Sequence, residues 1–595
     1  MTLAPEHRLS RVSRPVAAWA TPSRWSALIF SAKVLAFRLQ RFLVDLRTGP
    51  RRLKKSEGAR FPAIVGESRT KLWSDERPEE HAYQLGKVQN LRRAVDALDG
   101  VLVPAGTVFS FWQQIGRASR RRGFVTGRML QQGCLVPATG GGLCQLSNAL
   151  YEAALQVECE IVERHAHSRL IAGSAAASGR DATVAWNYVD LRFRPHTPIR
   201  IEARLTRDEL VVRFHGLPRE AAPSASIPQA QPTLIARSCA TCGEATCFRH
   251  EHHAAHGPAR GRTAFLVDEN WPEFRDYIAQ AHQAEDVFGL PLDGAKWRLP
   301  RYAWPVDGFS RVRSAPIQTL ARTVAIRRAP AQGPARRQAE LAAAERIARR
   351  LTRVLTPDVT RVRVAQSLLP YLWREGHLGG REVEVLMTRL PMAALQSRLD
   401  SAFAAHPERT TLGDFRASPA LVEAEAEALA YAVRIVTPHR DIARLFGEKA
   451  IILDWALPSV RPAASIATQR RIAFPGPTIA RKGAYELRQA AVALGLEVIT
   501  VGNELEGPDF WSGVAMRRAA PGPGWLGDIA AMVQPALVEE RPRHLLTALA
   551  AGVPIIATAA CGLDAQDGVT IVPPNDPAAL IEALKSVLGY SRPPH

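Results

Sequence analysis

Cysteine is scarce in this chain, with 7 among 595 residues. The odd count excludes a complete disulfide framework, and the low rate suits a cytoplasmic protein. Long apolar runs are missing too. No stretch of about 20 uncharged apolar residues occurs, which is the length a bilayer-crossing helix needs, so no spanning segment is expected. The leader carries no cleavable signal: its apolar run from Trp25 to Phe37 is broken by Lys33, is followed by Arg38 and Arg41, and lacks a small-residue cleavage site. Internal repeats and RNA- or DNA-binding motifs are absent, which removes nucleic acid from the expected partners.

What is present is basic charge and globular composition. The formal net charge is +20, from 77 Lys and Arg against 57 Asp and Glu, with 46% hydrophobic residues. Such a surplus suits anionic lipid or anionic substrates, although the arginines are spread along the chain. The length implies several units of roughly 150 residues. Residues 1–60 read as a basic leader in which Leu28, Phe30, Val34, Phe37 and Phe42 recur near helical spacing. A helix over 25–45 either docks on the protein's own core or adsorbs to an anionic membrane surface. The second reading places the protein peripherally at the inner membrane face. Residues 68–216 read as one mixed α/β domain. The Pro-, Ala- and Ser-rich stretch Pro218–Pro232 reads as a linker, within a segment 217–262 that also holds a Cys/His cluster. Residues 263–440 alternate apolar runs with helical stretches, and Arg327–Arg353 reads as a loop plus a solvated helix. Residues 451–588 repeat strand then helix, which implies a parallel sheet wrapped by helices.

In this last segment the apolar runs starting at Arg471, Leu496, Ala530 and Val553 read as strands. Arg481-Lys482-Gly483 follows the first. Between the last two lies Val538-Glu539-Glu540-Arg541-Pro542-Arg543, leading through Thr547 to Ala548-Leu-Ala-Ala-Gly-Val-Pro. This resembles the donor-site signature of retaining GT-B glycosyltransferases (glycosyl transferases group 1), in which two glutamates eight positions apart flank a helix N-terminus. The resemblance implies two Rossmann-like lobes, 263–440 for the acceptor and 451–588 for a nucleotide-diphosphate sugar. It implies that Arg481 and Lys482 hold the diphosphate, beside a helix N-terminus suited to phosphate. Glu539 matches the sugar-binding glutamate. Thr547 stands where the family has a ribose-binding glutamate, so this chain departs from the pattern there. The run from Glu423 to His439, a helix feeding a strand and a Thr-Pro turn, also resembles these enzymes. No acceptor motif is legible in 263–440. An inactive Rossmann-like lobe is the competing reading.

Further upstream, Arg69-Thr-Lys-Leu-Trp73, Lys87-Val-Gln-Asn-Leu-Arg92, Pro104–Trp112, Gly140-Gly-Gly-Leu-Cys144-Gln-Leu-Ser147, Val162–Ser168 and Ala182–Asp190 occur in this order. The set resembles the VanW family, named for an accessory role in glycopeptide resistance. Leu143, Leu146, Leu150, Ala153 and Val157 have helical spacing, so Cys144 opens a helix after three glycines. A thiol there feels the positive end of the dipole. His165 and His167, two apart on an expected short strand, point to one face, and Asn187 or Asp190 would orient an imidazole. The order Cys, His, Asn is that of papain-like hydrolases and cell-wall amidopeptidases. Three readings stand: a cysteine-dependent amidase or transpeptidase, a glycan- or peptide-binding pocket without chemistry, and a buried structural cysteine.

Cys239-x2-Cys242-x4-Cys247-x2-His250 has the ligand types of a closed tetrahedral zinc site, with His252, His253 and His256 as other fourth ligands. An iron–sulfur cluster, a redox pair and an unliganded loop are the alternatives. The chain is thus read as α/β, a VanW-like domain followed by two GT-B-type lobes. The expected activity is sugar transfer from a nucleotide diphosphate to an unknown, cell-envelope acceptor. The alternatives are a non-catalytic binding protein and chemistry at Cys144.

Overall fold

The computed structural model describes residues 23–56, 61, 63–75, 77–167, 180–218, 236–238, 242–244, 247–249, 261–460, 470–519 and 523–589. They belong to two compact units, one from residues 1–204 and 209–259 and the other from 205–208 and 260–595. No described helix is long and apolar enough to cross a membrane.

In the N-terminal unit a 4-stranded sheet runs in the order Ala63–Lys71, Glu209–Gly216, Ile199–Leu205, Val101–Val103. Inward residues alternate along its strands, as the two-residue period of a strand requires. The helix Cys144–Gln156 packs on Ala63–Lys71 with Leu146, Leu150, Ala153 and Ala154 buried. Its first residue is Cys144, as its helical spacing predicts. The helix Arg24–Thr48 spans 25 residues. Of the residues with helical spacing in its sequence, Phe30 and Val34 are part-buried while Leu28, Phe37 and Phe42 are exposed.

The Cys/His expectation falls partly outside the described residues, where Cys239 and His250 lie. Cys242 is part-exposed and Cys247 is buried. Among the described residues no group of three or more His, Cys, Asp or Glu is placed to hold a metal, so the zinc expectation gains no support from the geometry and no chemistry is routed through it.

The C-terminal unit is built on two parallel sheets. The first holds 7 strands in the order Arg311–Ser314, Val287–Leu290, Arg262–Leu266, Val359–Ala365, Glu382–Leu386, Arg434–Thr437, Ala450–Ile452. The second holds 6, in the order Met516–Arg518, Glu497–Thr500, Arg471–Phe474, Ala531–Gln534, Ile555–Ala557, Val569–Ile571. Ala531–Gln534 is buried along its whole length and Glu382–Leu386 from Val383 onward, because helices cover both faces. The four expected strands of 451–588 are present, joined by two short edge strands, Met516–Arg518 and Val569–Ile571, whose three residues each carry too little pattern to read. The stretch Arg327–Arg353 is a loop plus a helix as expected, but the helix is not merely solvated. From Pro334 to Leu351 it is a helix that buries Ala343, Ile347, Ala348 and Leu351 against the first sheet's core. Its arginines masked that small-residue stripe.

In each sheet the strand order reverses once. Arg471–Phe474 hands the chain outward to Glu497–Thr500 and Met516–Arg518, and Ala531–Gln534 then resumes on its other side. Arg262–Leu266 and Val359–Ala365 make the same reversal in the first sheet. At such points the two flanking loops diverge and leave a crevice at the carboxyl ends of the strands.

Gly483 makes the second crevice possible. It has φ +82°, and a Cβ there would sit 2.2 Å from the carbonyl oxygen of Pro535, across the reversal. Neither the conformation nor the backbone neighbour can give way. Gly483→Ala should therefore cost about 1–3 kcal/mol, read as a lowered denaturation midpoint of the C-terminal unit. An unchanged midpoint would show that the loop has room that the geometry denies.

Candidate functional site

The N-terminal unit encloses a cavity of about 1480 Å³ lined by Gly140–Cys144, His167, Trp112, Trp186 and Tyr188, among others. Gly142 has φ +94°, and the space a Cβ would need there is taken by the Lys87 side chain. This close approach of backbone and lysine fixes the residues just before Cys144. The helix is then tied to the segment that follows His167. Ser147 Oγ donates to the carbonyl of Ala182, and the Ala182 N–H donates to Asn148 Oδ1 at 2.7 Å. These bonds set residues 181–184 beside the first helical turn, where Cys144 Sγ reaches Thr183 Oγ1 at 3.7 Å and Val184 O at 3.8 Å.

His167 and Asp181 complete the constellation. His167 Nδ1 donates to Asp181 Oδ2 at 2.6 Å, and its own backbone N–H donates to the same oxygen at 2.7 Å. Asp181 is 1% exposed and His167 6%. Arg164 holds the carboxylate's other oxygen at 3.2 Å. With Nδ1 engaged on Asp181, the other ring nitrogen is left for Cys144, on whose thiol His167 acts. Burial alone would raise the Cys144 thiol, but the hydrogen bond and charge of His167 outweigh it and bring the thiol below its ordinary range. For His167, burial opposes the charge, while the bonds to Asp181 and Cys144 lift it to about 10. Both shifts run towards a thiolate beside an imidazolium, the arrangement that activates cysteine nucleophiles.

Three sequence expectations are corrected here. His165 does not share the site. The strand ends at Glu163, and His165 is half-exposed beside Glu163 at 3.4 Å, so the two histidines do not share a strand face. Asn187 spends its amide on the Arg38 carbonyl at 3.0 Å. Asp190 is locked by Ser110, the Trp112 N–H and Arg192. The residue that orients the imidazole is Asp181, which the sequence reading missed.

The C-terminal unit sets a second constellation at its reversal point. Lys482 lies in the loop after Arg471–Phe474, and Glu539 in the loop after Ala531–Gln534. Their side chains meet at 2.7 Å, with 7% and 8% exposure. Glu539 also accepts from Gln534 Nε2 and from the Arg541 N–H at 2.8 Å. Burial would raise its carboxyl, but Lys482 beside it holds it below the usual range. Arg481 is fixed by its backbone, whose carbonyl accepts from Leu537 N–H at 2.9 Å. Its guanidinium carbon lies 4.5 Å from the centre of the Phe415 ring, and its buried Nε has no hydrogen-bond partner among the described residues. The helix Arg543–Ala550 starts four residues beyond Glu539. Thr547 sits in its second turn, where its hydroxyl donates to the Arg543 carbonyl at 2.7 Å. That hydroxyl is spent on its own helix.

The first lobe closes over this loop. Glu269, just past the reversal strand Arg262–Leu266, is 5% exposed and takes Arg541, Arg301 and Arg322. Arg543 pairs with Glu273 at 2.7 Å, and Arg389 with Glu540 at 2.8 Å. None of these first-lobe residues stood out in the sequence. Their signal was only positional, a carboxylate directly after a strand whose rank in the sheet is unknown until the fold is seen.

Comparison with known proteins fits this division. Residues 86–215 match the family model described as VanW like protein, and residues 511–589 match the one described as Glycosyl transferases group 1. The chain is 28% identical over 185 residues to the Vancomycin B-type resistance protein VanW of Enterococcus faecalis, covering 28% of this chain and 67% of that protein. It is 26% identical over 174 residues to the uncharacterized protein YoaR of Bacillus subtilis, covering 28% of this chain and 57% of that protein. Among solved structures, sucrose-phosphate synthase from Thermosynechococcus elongatus is similar with a TM-score of 0.38, 13% identity, and coverage of 55% of this chain and 90% of that one. The chain joins a VanW-like domain in its N-terminal region to a glycosyl transferases group 1 domain in its C-terminal region.

Proposed function

We propose that the C-terminal unit transfers a sugar from a nucleotide diphosphate donor to a cell-envelope acceptor, a glycan or a peptide. The observation that carries this is the buried Lys482–Glu539 pair at the strand reversal, with Arg481 beside it holding an unpartnered buried nitrogen. A diphosphate in that crevice takes Lys482 and Arg481 by charge-assisted bonds. Lys482 then exchanges Glu539 for phosphate, and the freed carboxylate turns to the sugar hydroxyls. In the reaction the anomeric C–O bond to the diphosphate breaks, a new one forms with an acceptor hydroxyl, and that hydroxyl's proton leaves with the nucleoside diphosphate. The envelope context is supported by the name of the N-terminal domain's relative, a vancomycin resistance protein.

Arg481→Ala or Lys482→Ala should weaken a nucleoside diphosphate and its sugar conjugate alike, by about 1.5–3 kcal/mol or roughly ten- to a hundred-fold. Glu539→Gln keeps the side chain's shape but removes the competing charge and one of its two accepting oxygens, so it should leave the nucleoside diphosphate bound as well or better and penalise the sugar conjugate. Thr547→Glu restores the family's carboxylate and should tighten binding where a ribose contact is merely missing. Calorimetry showing no nucleotide binding by the unaltered protein would reduce the C-terminal unit to a scaffold.

The Cys144–His167–Asp181 arrangement favours a second activity, acyl transfer in the N-terminal unit. The Cys144 thiolate attacks an amide carbonyl, His167 protonates the departing amine, and a thioester forms. Water or a second amine then attacks it, giving its proton to His167 and restoring the thiolate. The depressed thiol predicts that Cys144 alkylates fastest of the described cysteines at pH 7, where an ordinary thiol is mostly protonated. The thiolate is present above its own lowered pKa and lost below it, so the rate should fall at a pH below the usual thiol range. His167→Ala and Asp181→Asn should slow alkylation at pH 7 by about tenfold or more. His165→Ala should not. Mass spectrometry showing Cys144 inert at every pH would leave a binding pocket without chemistry.

A further inference from the structure

The helix Arg24–Thr48 keeps Phe30 and Val34 part-buried but turns charged residues inward beside them. On a helix of a soluble unit the apolar stripe faces the core and the charges face water. Here the inward positions include Arg38, Arg41 and Asp45, spaced at three and four residues. Arg38 Nε donates to the Trp186 carbonyl at 3.1 Å, Arg41 pairs with Glu163 at 2.5 Å, and Asp45 accepts from Arg192 at 2.8 Å. Asn187 adds a bond to the Arg38 carbonyl at 3.0 Å. The polar side is thus consumed in holding the helix to its domain. Away from it stand Trp25, Leu28, Leu35, Leu39, Phe42 and Leu46, which are 53% to 71% exposed. Leu28, Leu35, Leu39, Phe42 and Leu46 recur at three, four and seven residues, so they form one continuous apolar stripe.

Basic charge surrounds that stripe. Lys33 and Arg47 on the helix, then Arg51, Arg52, Lys54 and Lys55 after it, are all exposed. The one acidic residue between Arg24 and Lys55 is Asp45, and it is turned inward onto Arg192. A second protein would need a groove for 25 residues of helix and an acidic rim. A bilayer with anionic headgroups supplies both features in one surface, with acyl chains for the stripe and phosphate for its basic margin.

We infer that Arg24–Thr48 is an in-plane membrane anchor, which lies along an anionic lipid surface by its outward stripe and carries the N-terminal unit on its inward polar side. Arg38 also lines the Cys144 cavity, so the anchor holds that cavity about one helix diameter, ~10 Å, from the headgroups. The anchoring itself stands independently of any activity at Cys144.

The test is flotation of the full-length protein with vesicles of phosphatidylcholine, alone or mixed with phosphatidylglycerol. The protein should float with the anionic vesicles, less with the neutral ones, and less as salt is raised. The variant Leu28→Glu, Leu35→Glu, Leu39→Glu should lose about tenfold or more of its partitioning. Arg51→Glu with Arg52→Glu should lose only the preference for anionic lipid. Circular dichroism and gel filtration establish that each variant is folded. Should the glutamate variant not fold, the milder Leu28→Ser, Leu35→Ser, Leu39→Ser replaces it with the same expectation. Failure of the unaltered protein to float overturns the inference. So does flotation unchanged in the folded stripe variants. A lipid-independent dimer that the stripe variants split into monomers overturns it too, in favour of a second copy as the occupant.

Discussion

The strand reversal between Arg471–Phe474 and Ala531–Gln534 is the constraint on which the C-terminal unit depends. It sends two neighbouring strands' loops apart, and each loop must be closed by the other. The Arg481 carbonyl takes the Leu537 N–H, Gly483 leaves room for Pro535, and Lys482 meets Glu539. A buried ion pair of this kind is worth little as glue, because desolvation offsets the attraction. It is expensive to break from one side, since the surviving charge is stranded. That asymmetry suits a site whose ligand replaces one partner with another of the same sign. A diphosphate offers Lys482 the negative charge that Glu539 now supplies.

The large elements of this fold were legible because their signals are local. Strands of parallel sheets are continuous apolar runs, and the helix opened by Cys144 has its stripe in plain view. Resemblance singled out Arg481, Lys482 and Glu539, and the reversal gives the meeting of Lys482 and Glu539 a physical reason. Asp181 was not legible. Asp190 and Asn187 have equal claim by residue type, and only the bonds from Ser147 and Asn148 to Ala182 decide which acid reaches the imidazole. Glu269 was hidden for a related cause. A carboxylate that closes a cleft from the opposite lobe lies 272 positions from its partner Arg541, and nothing in sequence spacing reports such a pair.

The helix Arg24–Thr48 shows a different limit. Periodicity says that a helix has an apolar side but not which side the protein keeps. Phe30 and Val34 half-buried inward, against Leu28 and Leu35 outward, split what reads as one stripe into two. The deciding features are Glu163 and Arg192, two charged residues of the domain that take Arg41 and Asp45 of the helix. A domain surface that places such charges beneath a helix recruits the helix's polar side, and the apolar side is left outward by subtraction.

Both candidate sites rest on paired charge, yet the pairs act differently. Around His167 the partners are permanent. Asp181 is held by the His167 backbone as well as its ring, so the imidazolium is stabilised before any substrate arrives and the thiolate is its dependent. Preorganisation of this kind lowers the cost of charge at the moment of reaction. At Lys482 the partner is provisional, because the same ammonium cannot hold both Glu539 and phosphate. The first pair is therefore complete at rest, whereas the second is the one that the proposed donor would rearrange. One chain thus pairs a histidine with a counter-charge that is the protein's own, and a lysine with one that the proposed donor would replace.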